Sequence, residues 1–103
     1  MMKSIMNLRS GSDLNKLLIP GGYSLYQTGS YVNMPSDANG KAGFMRVEYT
    51  TNDASTILQT LNYRDGVGKP TVMMRYIFSD SANPYPSGVF IYNGWYKITT
   101  ELT

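Results

Sequence analysis

The amino-acid sequence predicts a mainly β fold, in which an antiparallel sheet of four to six strands follows a short N-terminal helix. Aromatic residues make up 13% of the chain and include nine tyrosines, whose apolar rings and polar hydroxyls suit half-buried strands. Apolar and polar residues alternate along residues 44–49, as they do in a strand with one solvated face. Asn39-Gly40 and Asn93-Gly94 are typical of tight turns.

The chain is short enough to form one domain. It has 103 residues, and a domain of this size buries only roughly two-thirds of its unfolded surface, which leaves no room for a deep cleft between domains. Residues 1–11 are weakly patterned and end in Arg9-Ser10-Gly11, so we predict a flexible lead-in there. Residues 12–103 are predicted to form the single β domain.

The predicted helix covers residues 12–18. Ser12 is expected to be its N-cap, and Asp13 lies in the first turn, where a negative charge stabilises the helix dipole. Leucines follow at helical spacing, and Pro20-Gly21-Gly22 ends the helix. A helix of about two turns depends on tertiary packing for its stability.

Six later segments have the composition and the bounding turn residues of strands. They are Tyr23–Tyr26, Phe44–Tyr49, Thr56–Tyr63, Thr71–Phe78, Val89–Tyr92 and Trp95–Thr100. The segment at 71–78 is apolar on both faces, so we predict a central strand. The last two segments are predicted to form a hairpin around Asn93-Gly94. The expected core residues are Leu14, Leu17, Met45, Val47, Ile57, Leu61, Val72, Met74, Ile91 and Ile98.

Composition excludes several kinds of chemistry. The chain has no histidine and no cysteine, which removes Cys-His and Ser-His nucleophile pairs and the common zinc ligands. A glycosidase needs two carboxylates facing a sugar, but five of the seven here lie in predicted turns, caps or tails, where Asp is common for backbone reasons. Asp65 is one of these, in the turn predicted at Arg64-Asp65-Gly66-Val67-Gly68. In Gly66-Val67-Gly68-Lys69-Pro70 the proline blocks the helix that a phosphate-binding loop needs. We predict no enzymatic activity, no metal site and no cofactor.

Charge and hydropathy bear on the partners. The formal net charge is +2, and the nine basic residues never form a run. Nucleic-acid binding favours a basic patch or stripe, so we predict no nucleic-acid partner. The apolar stretches are too short to span a bilayer, and Met1–Met6 lacks the apolar region of a signal peptide. We therefore predict no membrane insertion.

Aromatic and polar loop residues are the remaining candidates for ligand binding. Two long loops, Gly29–Gly40 and Ser79–Gly88, carry rings on which sugars can stack and polar groups that suit sugar hydroxyls. The candidate ligand-binding residues are Tyr31, Asn33, Asp37, Asn39, Asp80, Asn83, Tyr85 and Trp95. The Asn and Asp residues also suit turns alone, and Trp95 also suits a packing anchor. Arg75 suits either a paired position across the sheet or a ligand contact. Both interpretations stay open at this point.

Five groups of residues carry a resemblance, and their order along the chain is its most specific part. They are Ser12–Leu17 with Pro20–Tyr23, Asn33–Pro35 with Gly43–Val47, Ile57–Thr60, Val72–Phe78, and Trp95–Lys97. In this order they resemble the pyocin-knob domain of phage and R-type pyocin tail fibres, over about residues 12–100. The family commonly ends on paired tryptophans, whereas Tyr96 follows Trp95 here.

The resemblance implies a non-catalytic module at the surface of a virion or tail. Such a module is a rigid bead, a trimerisation element or a receptor-binding surface. The implied partners are further copies in a homotrimer, other fibre domains and a bacterial surface glycan. The alternative is an accessory fragment of a polysaccharide-degrading tail enzyme.

Overall fold

The computed structural model describes residues 5–26, 30–50, 56–79, 90–92 and 94–98. Within these ranges the chain forms one sheet and two short 3₁₀ helices, Leu14–Lys16 and Ser36–Ala38. The strands are β1 (Ile5–Asn7), β2 (Gly21–Leu25), β3 (Gly43–Tyr49), β4 (Thr56–Arg64), β5 (Pro70–Ser79), β6 (Phe90–Tyr92) and β7 (Tyr96–Ile98).

The sheet has the strand order β1-β2-β3-β4-β5-β6, and β7 also pairs with β5. The mainly β class is confirmed. The prediction of an antiparallel sheet of four to six strands is wrong, because the described residues form a mixed sheet of seven strands. β1 runs parallel to β2, while the other pairings are antiparallel. The extra parallel strand comes from Ile5–Asn7, within the predicted lead-in.

The segment predicted as a flexible lead-in is held by the sheet from residue 5 onwards. After β1, the Leu8 N–H donates to the Ser24 carbonyl at 2.9 Å, and the Leu8 side chain is buried in the core. The Gly11 N–H donates to the Ser30 carbonyl at 2.6 Å. The boundary at residue 11 therefore does not separate a loose segment from the domain.

The predicted helix over residues 12–18 is not present; a single 3₁₀ turn at Leu14–Lys16 takes its place. The carbonyls of Leu14 and Leu17 accept hydrogen bonds from the side chain of Gln59 on β4. Leu17 has φ −88° and ψ 81°, outside the helical region. The segment ends after one turn because its carbonyls bind the sheet and its backbone leaves the helical conformation.

One face of the sheet, the buried face, packs against side chains of segments 8–18 and 31–38. Five predicted core residues lie fully buried there: Leu14, Met45, Val47, Ile57 and Leu61. Leu17 is partly buried against the same cluster. The core is therefore formed between the sheet and irregular segments.

Four predicted core residues lie on the opposite face of the sheet. They are Val72, Met74, Ile91 and Ile98, of which the two isoleucines are exposed. β5 is apolar on both faces, so its pattern does not define which face is buried. The pairing of Gln59 with Arg75 directs Arg75 and Ile77 into the core instead.

The last two strands do not pair with each other within the described residues. β6 pairs with Ile77–Ser79 and β7 pairs with Val72–Met74, so both lie along the same edge of β5. The predicted hairpin is therefore replaced by two successive pairings with β5. None of the helices in the described ranges is long and apolar enough to cross a membrane.

Candidate functional site

Two polar side chains lie inside the core on adjacent strands. Gln59 of β4 is fully buried, and Arg75 of β5 exposes only 4% of its surface. Arg75 Nε donates to Gln59 Oε1 at 2.8 Å, and Gln59 Nε2 donates to the carbonyls of Leu14 and Leu17 at 2.7 and 3.0 Å. Buried polar groups are costly without partners, so this pair fixes the first 3₁₀ helix against the sheet.

The guanidinium of Arg75 contacts an amide and two aromatic rings at its outer end. Nη2 donates to Asn15 Oδ1 at 2.8 Å, and Cζ lies 4.5 Å from the centre of the Trp95 ring and 6.0 Å from that of Tyr92. Burial lowers the pKa of Arg75 to about 10, while the charge of Asp13 acts in the opposite direction. Arg75 is therefore a cation at neutral pH, stabilised by amide oxygens and aromatic faces.

Asp13 joins the first 3₁₀ helix to the loop that carries Asn33. Asp13 Oδ1 accepts hydrogen bonds from the Asn15 N–H at 2.9 Å and from Asn33 Nδ2 at 2.7 Å. The bond from Asn33, followed by that from Asn15, lowers the pKa of Asp13. Asp13 thus caps the 3₁₀ helix in place of the predicted Ser12, whose hydroxyl donates to the Arg9 carbonyl.

Asn33 holds the indole of Trp95. It has φ 62°, in the left-handed region that asparagine tolerates better than most residues, and its carbonyl accepts from Trp95 Nε1 at 3.1 Å. Trp95 is partly buried against the core. These contacts support a packing role for Trp95. We call Asp13, Asn15, Asn33, Arg75 and Trp95 the rim cluster.

A second polar feature is an open depression of about 410 Å³. Its lining residues are Ser36, Asp37, Lys41, Tyr63, Asp65, Gly66, Val67 and Lys97. We call it the Asp37 depression. The depression and the rim cluster share two segments, residues 33–37 and residues 95–97. The Trp95 indole donates a hydrogen bond to the Asn33 carbonyl in the rim cluster, and Lys97 donates to Asp37 in the depression.

Asp37 organises one wall of the depression. Lys97 Nζ lies 3.1 Å from Asp37 Oδ2, and both side chains are about half exposed. Lys41 Nζ donates to the Asp37 carbonyl at 3.0 Å and lies 6.0 Å from the centre of the Tyr63 ring. The hydrogen bond to Asp37 raises the pKa of Lys97. Lys97 therefore carries positive charge at neutral pH.

Asp65 forms the turn after β4 and also lines the depression. Its Oδ1 accepts from the N–H groups of Val67 at 3.0 Å and Lys69 at 2.8 Å. The backbone hydrogen bond from Lys69 is the main cause of a lowered pKa for Asp65. Asp65 is therefore ionised at neutral pH, and the depression presents carboxylate acceptors beside ammonium donors.

The structure separates the predicted ligand-binding residues. Asn33 and Trp95 meet in the rim cluster, and Asp37 lies in the depression. Asn39 is exposed at the end of the second 3₁₀ helix and is not among the residues that line the depression. The other candidates, Asp80, Asn83 and Tyr85, lie outside the described residues.

Tyr31, the remaining candidate, is buried rather than displayed by its loop. It exposes 8% of its surface. Its hydroxyl donates to the Leu8 carbonyl at 3.3 Å and accepts from the Tyr26 N–H at 3.0 Å. The ring is inside the core cluster, so it offers no platform on which a sugar could stack.

Four charged or aromatic residues of the depression were not selected from the sequence. They are Lys41, Tyr63, Asp65 and Lys97. They come from three separate segments, residue 41, residues 63–65 and residue 97, and only the tertiary structure brings them together. The sequence signal at Asp65 was that of a turn, and this turn forms. Its position in the same depression as Asp37 had no signal in the sequence.

Comparison with protein-family models, with curated proteins and with solved structures found no match for this chain. Among the described residues, no three His, Cys, Asp or Glu side chains gather into a group that could hold a metal ion.

Proposed function

We propose that this chain is a non-catalytic knob module of a phage-type tail fibre or virion fibre, with a structural or receptor-binding role. In this proposal the Asp37 depression contacts a bacterial surface glycan. The observation that carries it is the composition of that depression, in which Asp37 and Asp65 lie with Lys41, Lys97 and the ring of Tyr63. Carboxylates accept hydrogen bonds from sugar hydroxyls, and ammonium groups donate hydrogen bonds to the oxygens of those hydroxyls.

The size and position of the depression support a surface contact. Its volume of about 410 Å³ falls in the range of roughly 300–1,000 Å³ that is common for small-molecule sites. Most of its residues come from the second 3₁₀ helix, the segment after it and the turn after β4, and Tyr63 and Lys97 come from strands. Binding residues are frequently found on loops above a rigid scaffold. The exposed Asp37–Lys97 ion pair can open to a ligand at small cost, because exposed pairs contribute little to stability.

Two observations support a non-catalytic role. A glycosidase needs a carboxylic acid with a raised pKa that is protonated at working pH. The pKa of Asp65 is lowered by its turn hydrogen bonds, and that of Asp13 is lowered by Asn33 and Asn15. Neither residue is suited to act as a general acid.

Glycan binding is tested on a panel of bacterial surface polysaccharides and on whole cells, with wild type and two single variants. We expect Asp37→Ala and Lys41→Ala each to weaken binding by roughly tenfold, the effect of losing one charged hydrogen bond. Lys16→Ala removes an exposed lysine that does not line the depression and is the matched control. Equal binding by all four proteins would remove the depression as the site, and no binding by wild type would leave the structural role.

A second candidate function is an accessory fragment of a polysaccharide-degrading tail enzyme. It is favoured by one observation, that Asp37 and Asp65 line the same depression. Incubation with the glycan that binds, followed by measurement of new reducing ends, separates the two functions. We expect no reducing ends, and their release by wild type but not by Asp37→Ala would establish the enzymatic function instead.

The proposal also covers location and assembly. It places the module at the surface of a virion or tail, joined to other fibre domains. It includes a homo-oligomeric state, for which the resemblance to knob domains implies three copies within a full fibre.

A further inference from the structure

The side of β2–β7 opposite the buried face, here called the open face, is rich in apolar side chains. Cross-strand pairs place Leu58, Met74, Tyr76, Phe78, Ile91 and Tyr96 together on it. Tyr76, Ile91 and Tyr96 are 47%, 47% and 71% exposed. Contiguous exposed apolar surface on a small domain marks an interaction site.

Two charged residues lie beside this apolar region. Arg46 and Glu48 alternate with buried Met45 and Val47 on β3, so both point to the open face, and both are exposed. They are neighbours two residues apart on one strand. A strand that carries one positive and one negative charge at this spacing complements an antiparallel copy of itself.

We propose that the open face binds the open face of a second copy of this chain, so that two sheets pack face to face about a twofold axis. The axis runs across the strands between two rows, Arg46–Thr60–Met74 and Glu48–Leu58–Tyr76, whose members are paired in register. Rotation about this axis sets Arg46 opposite Glu48 of the second copy. The same rotation sets Met74 opposite Tyr76.

The charge pattern selects a second copy as the occupant. An isologous twofold interface requires a patch that is complementary to itself, and the order Arg46, Glu48 provides this. A closed threefold ring joins two different patches of each copy, so a trimer within a fibre would use surfaces other than this face, and the open face pairs two copies. Packed sheets align their strands within roughly 30°, which is compatible with the antiparallel arrangement across the axis.

The area of the face is sufficient for a specific complex. One residue occupies about 32 Å² on one face of a sheet, from a strand spacing of about 4.8 Å and a repeat of about 6.7 Å. The face formed by β2–β7 therefore covers roughly 500 Å² per copy, or about 1,000 Å² for two, which is the lower limit for a stable interface. We accordingly expect a reversible dimer.

The first test measures the molar mass of the purified chain by sedimentation at protein concentrations from about 1 to 500 µM, the range in which interfaces near this limit associate. We expect wild type to form a dimer, and Tyr76→Lys to weaken dimerisation at least tenfold by placing a charge in the apolar region. Val67→Lys adds the same charge at an exposed apolar residue in the turn after β4 and is the matched control, expected to dimerise like wild type. Circular dichroism verifies the fold of each variant.

The second test addresses the register of the pair. Arg46→Glu places four carboxylates around the axis, so we expect it to weaken the dimer. The double variant Arg46→Glu/Glu48→Arg reverses both charges and restores the complementarity, so we expect dimerisation to recover. Recovery in the double variant would not follow from apolar association alone.

Each outcome decides the pairing. A dimer that is weakened by Tyr76→Lys and by Arg46→Glu, and recovered by the double charge reversal, supports it. A monomer at every concentration, a trimer, or a dimer indifferent to these changes overturns it. The glycan assay measures binding at the Asp37 depression, which lies on the side of the buried face. Failure of either proposal therefore leaves the other testable.

Discussion

Replacement of Gln59 by leucine tests the buried polar pair that fixes the first 3₁₀ helix. The side chain is fully buried and makes three hydrogen bonds, to Leu14, Leu17 and Arg75. The two bonds to neutral carbonyls contribute about 1 kcal/mol each, and the charged bond about 2 kcal/mol. Burial of the more apolar leucine offsets about 1 kcal/mol of this loss. We expect Gln59→Leu to lower the free energy of unfolding by about 3 kcal/mol.

Thermal and urea unfolding followed by circular dichroism measure this loss. About 3 kcal/mol corresponds to a fall in Tm of roughly 15 °C for a domain of this size. Asn39→Leu makes the same kind of change at an exposed position and is expected to shift stability by less than about 0.5 kcal/mol. A Gln59→Leu protein as stable as the Asn39→Leu protein would refute the role of the buried pair.

A double-mutant cycle isolates the contact between Gln59 and Arg75. Removal of Gln59 alone leaves a buried cation with one fewer acceptor, and this is the costly state. Adding Arg75→Met removes that cation. We therefore expect the double variant to be more stable than the sum of the single losses predicts, by about 1–3 kcal/mol. Strict additivity would show that the two side chains act separately.

Three further predictions concern pH, packing and the buried tyrosine. In the folded chain the pKa of Asp13 lies below its ordinary value of 3.8, so the unfolded chain binds more protons near that pH. The free energy of unfolding should therefore fall as the pH drops from about 5 to 3, and it should fall less steeply in Asp13→Asn. Urea unfolding at several pH values measures this dependence. A Cβ at Gly22 would meet Phe44 Cζ at 2.6 Å, so Gly22→Ala should lower stability by about 1 kcal/mol, and Phe44→Leu should relieve this loss. Tyr31→Phe should lower stability by about 1–2 kcal/mol with unchanged glycan binding; weaker binding without loss of stability would contradict its assignment to the core.

The strands show how much of the fold the local alternation of apolar and polar residues predicts. The alternation along residues 44–49 defined β3 and its buried residues Met45 and Val47, because one face of that strand is polar and the other apolar. β5 gave no such signal. It is apolar on both sides, and the pairing of its Arg75 with Gln59 decides which side enters the core.

The helix shows the limit of local signals at the N-terminal end. Leucine spacing and the acidic residue at position 13 favoured about two helical turns, and the structure keeps only the cap and one 3₁₀ turn. The carbonyls of Leu14 and Leu17 bind Gln59, which lies more than forty residues away in sequence. No pattern within residues 12–18 carries that interaction.

The sequence by itself determined the mainly β class, the turn chemistry at Asp65, and the lack of histidine and cysteine chemistry. These follow from residue identity and from neighbours a few positions apart. Only the tertiary structure decided that Asp37 and Lys97 form an ion pair, that Tyr31 is buried, and that one face of the sheet remains apolar and exposed. Each of these features depends on contacts between segments that are distant in sequence, and for the sheet on strand register, which local alternation does not encode.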